Sequence, residues 1–131
     1  MKRAVYLIAS FLFFISCSTK TDSTFEPETE ADIIQYIEDN NLNATRSNSG
    51  LYYVINNEGT GARPTSTSNV TVDYKGYFLD GVVFDESNSN GISFRLNEVI
   101  QGWTEGITYF REGGNGILLV PYNLGYGGGI N

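Results

Sequence analysis

Three aromatic-bearing segments carry what chemistry this chain can do. Val72-Asp73-Tyr74-Lys75-Gly76, Val83-Phe84-Asp85 and Val99-Ile100-Gln101-Gly102-Trp103-Thr104-Glu105-Gly106 follow one another, with Gly125-Tyr126-Gly127 close behind. The usual equipment for making and breaking bonds is missing. There is no histidine, which removes His bases, His triads and His-ligated metals. The one cysteine, Cys17, allows neither an internal disulfide nor a Cys-cluster zinc site. Glu98 and Glu105 stand seven apart on one short helical stretch, not paired across a cleft as two-carboxylate hydrolysis requires. A net charge of −7 argues against nucleic acid as a partner. What these segments do supply is aromatic side chains of the kind that line an apolar cup.

The elements that must hold such a cup follow from periodicity. Leu51 to Ile55 reads as a strand opened by Gly50. Val70, Val72 and Tyr74 alternate with Thr71, Asp73 and Lys75, which predicts one strand, with one buried face, running through Tyr74. Tyr77 to Leu79 and Val82 to Phe84 flank Asp80-Gly81, the signal of a hairpin with a two-residue type I′ turn. Phe94 to Leu96 is a short strand, and Gly116 to Val120 is a buried one that Pro121 ends. Ile100, Trp103 and Ile107 fall at i, i+3 and i+7 on one face of a short helix. Gly102 and Gly106 weaken that helix, so packing must hold it.

Upstream, Met1-Lys2-Arg3 and the apolar run Ala4 to Ile15 form a signal-peptide pattern, too short for the roughly 20 residues of a membrane span. Ile15-Ser16-Cys17-Ser18 is similar to the lipobox of bacterial lipoproteins, with Phe14 where a leucine is usual. Residues 1–16 are therefore expected to be a leader and Cys17 the lipidated first mature residue, placing the protein at the bacterial cell envelope; a plain secretory signal is the alternative. Residues 17–29, rich in Ser, Thr and acids, read as a flexible tether. Residues 30–49 read as a helix and linker, with Ile33, Ile34 and Ile37 as one apolar stripe and acids crowding the first turn. That helix either leans on its own domain or serves as a spacer or dimerisation element.

In order and spacing, V-D-Y-x-G, V-F-D and V-I-x-G-W-x-E-G followed by G-Y-G resemble the FKBP-type peptidyl-prolyl cis-trans isomerases, over roughly Gly50 to the C-terminus. The resemblance implies an α+β fold, an antiparallel β-sheet wrapped around one short α-helix, here preceded by a short N-terminal helix. It implies isomerisation of Xaa-Pro bonds without a cofactor, with proline-containing exported polypeptides as partners. It implies Tyr74, Phe84, Asp85, Ile100, Trp103 and Tyr126 as the catalytic set and Val99, Phe94 and Ile92 as substrate-binding residues. Trp103 would floor the pocket, Tyr74 and Phe84 would wall it, and the Ile100 N–H and Tyr126 hydroxyl would donate to substrate. Taken singly, each aromatic would read as core; together, in family order, they read as a pocket. For Asp85 two readings stand, a hairpin-end carboxylate in water or a partly buried acid bonded to Tyr74.

Two departures accompany the resemblance. The loop Glu86 to Gly91 carries no arginine, and the chain ends at Asn131 where relatives run on into a final apolar strand. The last family strand is therefore expected to be missing, by fragmentation or natural truncation. Two other function classes are a non-catalytic chaperone that holds proline segments and a β-sandwich surface lipoprotein; Gly102-Trp103 argues against the second.

Overall fold

Thr29 starts the first helix because its hydroxyl accepts from the Asp32 N–H while the Asp32 carboxylate takes the Thr29 N–H, a reciprocal capping box. In this computed structural model, which describes residues 27–126, the helix is α1, Glu30–Asp39. Seven strands follow: β1 Thr45–Arg46, β2 Tyr52–Asn57, β3 Asn69–Val72, β4 Lys75–Tyr77, β5 Val83–Glu86, β6 Ile92–Arg95 and β7 Asn115–Leu119. The second helix, α2, Gln101–Gly106, lies between β6 and β7. Pairing is antiparallel throughout, in the order β1-β2-β7 with separate pairs β3-β6 and β4-β5. The leader, Cys17 and most of the expected tether lie outside the described residues.

The central sheet has a helix on each face. In register, Tyr52 opposes Leu119 and Val54 opposes Ile117. Tyr52 and Leu119 are buried together with Ile33 of α1, and Tyr36, Ile37 and Leu42 close the cluster. The opposite face carries Leu51, Tyr53 and Leu118. There α2 comes down so closely that a Cβ on Gly106 would lie 2.7 Å from both Leu118 Cδ atoms, and one on Gly102 would lie 2.5 Å from Val120 Cγ1. Two glycines one turn apart thus turn a poor helix former into a flat contact surface.

Several expectations need correction. The strand predicted through Tyr74 breaks there, because β3 follows β6 and β4 turns away to pair with β5. The hairpin turn is not type I′, which needs positive φ at both Asp80 and Gly81. Only Gly81 has it (φ +90°), and Gly81 N–H donates to Phe78 O while Phe78 N–H donates to Val82 O. The loop is therefore three residues, Leu79-Asp80-Gly81, with the glycine as a bulge, and Asp80 Oδ1 accepts the Val82 N–H at 2.9 Å. The short helix excludes Ile100, which caps it, and Ile107, which begins a 3₁₀ turn. β7 is not a buried strand throughout: Asn115 and Gly116 are exposed, Ile117 and Leu118 half-buried and only Leu119 buried. Residues 40–49 are more than a linker, since β1 pairs with β2. Glu28 and Thr29 are tied down too, Glu28 Oε1 accepting the Leu79 N–H at 3.0 Å.

Gly106→Ala should destabilise the protein. Forced contact with Leu118 and the fully buried Leu51 costs about 1–3 kcal/mol, against a helix-propensity gain of at most about 1 kcal/mol at a helix end. Urea unfolding measures the balance; a raised midpoint would mean that α2 does not press on the sheet.

Candidate active site

Trp103 sits one residue round α2 from the glycine face, and its ring is met from two sides. Tyr74 approaches edge-on, with centroids 4.8 Å apart at 82°. Phe94, from β6, lies 5.3 Å away and tilted by 34°. All three are half-buried. Tyr74 reaches this place because the chain changes strand partner beneath it. Ser87 secures the change: its Oγ accepts the Tyr74 N–H at 2.9 Å and donates to Asp73 Oδ1 at 2.7 Å, while its N–H donates to Tyr74 O at 3.0 Å.

The Tyr74 hydroxyl donates to Asp85 Oδ2, and Asp85 Oδ1 accepts the Glu86 N–H. The bond chosen by the second reading of Asp85 is present, but Asp85 itself is exposed. The Tyr74 phenol is pushed up to about 12, first by the hydrogen bond to Asp85, then by burial and by the Asp85 charge.

Phe84 belongs to a second ring group. It lies 4.9 Å from Phe78 and 6.4 Å, edge-on, from Tyr126. Gly76 makes room for it, since a Cβ there would come within 2.8 Å of the ring. Rings serving only as core would be covered, yet Phe84 is 47% exposed and Tyr126 72%. The two groups are joined through the Tyr74–Asp85 bond, Asp85 being the residue after Phe84. Ile92 begins β6 opposite Val72 and is exposed, on the same face as Phe94 by strand alternation but further from α2.

Val99 and Ile100 enter α2 in extended conformation. The Ile100 carbonyl accepts from Trp103 and Thr104, at 3.0 and 3.1 Å, while its N–H meets no acceptor among the described residues. Tyr126 likewise makes no hydrogen bond among them, so within the described residues its hydroxyl and the Ile100 N–H are both open donors. A groove of about 580 Å³ shares only Val99 and Ile100 with the ring set and follows the hydroxyl-bearing side of α2, past Thr104 and Thr108. It is a separate surface from the cup of rings. Within it Glu105 accepts from Ser49 and Tyr109 hydroxyls. Burial raises its pKa, but hydrogen bonds from Ser49, Ser47 and Tyr109 outweigh this and hold it below the ordinary value. Glu105 is thus an anionic clasp, the opposite of a raised-pKa general acid.

Sequence reasoning missed Ser87. Its role depends on a strand exchange, and the only local signal was its place two residues beyond Phe84-Asp85.

The profile of FKBP-type peptidyl-prolyl cis-trans isomerases matches residues 61–129. The chain belongs to this family. Among its FKBP-type relatives is the probable isomerase FkpA of Neisseria meningitidis, 48% identical over 80 residues, which are 60% of this chain and 29% of that protein. FkpA of Escherichia coli is 43% identical over 83 residues, 62% of this chain and 31% of that one. The outer membrane protein MIP of Legionella longbeachae is 42% identical over 81 residues, 60% and 35% of the two chains. The chain thus spans about a third of the length of these relatives. Among solved structures, E. coli FkpA superposes with TM-score 0.67 at 34% identity, over 73% of this chain and 46% of that one. An isomerase from Pseudomonas syringae gives 0.63 at 27% identity, over 77% and 79%.

The Tyr74 phenol should stay protonated after ordinary tyrosines ionise near pH 10 and should titrate near 12. Because the folded value is raised, the stability it confers is full below about pH 10 and lost as pH climbs through 12. Phenolate absorbance tests this: Asp85→Asn should move one late-titrating tyrosine earlier, and Tyr74→Phe should remove it. Wild-type and Asp85→Asn curves that coincide would exclude the bond in solution.

Proposed function

We propose that this chain catalyses cis-trans isomerisation of Xaa-Pro bonds in polypeptides of the bacterial envelope. The observation that carries this reading is the set of partly open rings, Trp103 between Tyr74 and Phe94 with Phe84 and Tyr126 in a second group, together with an Ile100 N–H that meets no acceptor among the described residues. Isomerisation meets a barrier of about 18–20 kcal/mol because rotation breaks amide resonance. No bond must be made or cut; the twisted amide need only be bound better than either planar form. Twisting localises the nitrogen lone pair and lessens the charge on the carbonyl, so a water-poor aromatic cup favours it. Trp103 lies under the proline ring, Tyr74, Phe94 and Phe84 wall it, and Val99 stands at the entry. The Ile100 N–H and the Tyr126 hydroxyl take substrate carbonyls. Asp85 orients Tyr74 and takes no part in proton transfer. No cofactor enters this scheme.

A second reading, a holding module without catalysis, draws on the exposed strip Phe78, Val82, Val83 and Phe84 along the β4–β5 hairpin. Phe84→Ala separates the two. Because Phe84 is half exposed, its loss should spare the fold and lower kcat/KM in a protease-coupled prolyl peptide assay by about tenfold or more; Trp103→Ala should do the same, with circular dichroism monitoring folding. Wild-type protein that suppresses client aggregation without accelerating isomerisation would decide for the holding module.

Lipid attachment at Cys17 would place the domain at the membrane surface, in keeping with a relative named as an outer membrane protein. Cys17→Ser is expected to abolish fatty-acid labelling in cells and to shift the protein from the membrane to the soluble fraction. Labelling that persists would refute the anchor.

A further inference from the structure

Ile100 caps α2 without a side-chain hydrogen bond, since isoleucine has none to offer. Its carbonyl is held by the Trp103 and Thr104 N–H groups, but no side-chain bond of its own fixes the turn that aims its N–H. Thr104 lies one helical turn further on. Its hydroxyl donates to the Leu96 carbonyl and lies 3.3 Å from Ile100 O and 3.5 Å from Val99 O. One hydroxyl proton serves one acceptor at a time, and Leu96 O is the near one. A helical threonine commonly bonds back to the i−4 carbonyl; this one reaches past the helix start to Leu96, which opens the 3₁₀ turn after β6. Leu96 is a firm anchor, being fully buried, with its own N–H donated to Ser68 O at 3.0 Å. The segment 96–100, a 3₁₀ turn over Leu96–Glu98 followed by Val99 and Ile100, is thus tied back to α2 by this hydroxyl at its start and by the Trp103 and Thr104 N–H groups at its end.

We infer that Thr104 is the positioning residue for the Ile100 N–H, its hydroxyl clamping segment 96–100 so that the amide keeps one direction at the entry of α2. Thr104 touches no substrate; it acts through Ile100, and the role rests on the isomerase reading. If the Ile100 N–H holds a substrate carbonyl equally in the planar and twisted states, its misalignment weakens binding more than turnover.

The test uses the full chain. Thr104→Val keeps the shape and removes the hydroxyl, and Thr104→Ser restores it. Amide exchange across residues 96–100 should quicken in Thr104→Val, and KM for a prolyl peptide should rise about tenfold with kcat little changed. Thr104→Ser should recover both. Should Thr104→Val fail to fold, Thr104→Ala is measured in the same way. A folded variant with unchanged KM overturns the role, whether or not its unfolding midpoint has fallen, since lost stability alone marks a merely structural hydroxyl. Wild-type protein without isomerase activity defeats the isomerase reading itself; an active wild type beside an unaltered Thr104→Val defeats only the role of Thr104.

Discussion

The close approach of α2 to the central sheet sets the position of everything in the site. Gly102 and Gly106 remove the side chains that would hold the helix off, and Leu118, Leu51 and Val120 fill the space to van der Waals contact. With that face pinned, the remaining azimuths of the helix are no longer free. Trp103 must point toward Tyr74 and Phe94, and Thr104 must point back toward the loop before the helix. A helix of only six residues with two glycines would not persist in water. Its order is borrowed from the sheet, and the ring cup inherits that order.

The N-terminal helix serves the same end from the other side. Ile33 covers Tyr52 and Leu119, so the sheet against which α2 rests is itself backed. Glu30 accepts from both Arg46 and the Tyr52 hydroxyl, at 2.7 and 2.8 Å, joining α1 to β1 and β2. The Arg46 pair is about half exposed, so its share is small beside the apolar contacts.

Residue type and order made part of the ring set legible: Tyr74 and Trp103 of the motifs meet, and Phe84 faces Tyr126, while Phe94 and Phe78 join the two groups from outside the three motifs. Local periodicity failed where tertiary choice intervened. The alternation Val70, Val72, Tyr74 continues unbroken through the point where the chain leaves β6 for β5, so no local pattern marks the break. Asp80-Gly81 suits both a two-residue turn and a three-residue loop with a glycine bulge, and the bonds of Phe78 and Val82 decide between them. Propensity alone showed Gly102 and Gly106 as a cost, because the benefit appears only when Leu118 and Val120 are in place. The two readings of Asp85 each supplied half of the outcome, since it is bonded to Tyr74 and yet open to water, a combination that depends on what covers the hairpin.

The register of the central sheet has a kinetic corollary. Tyr74 and Asp85 are 11 residues apart, whereas β2 must find β7 across about half of the chain, Tyr52 against Leu119. Closing the longer span surrenders more chain entropy before any contact rewards it. The β4–β5 hairpin that carries Phe84 and Asp85 can therefore assemble early, while the platform that orients Trp103 arrives late. A nascent molecule would possess half of its cup well before it possesses a floor.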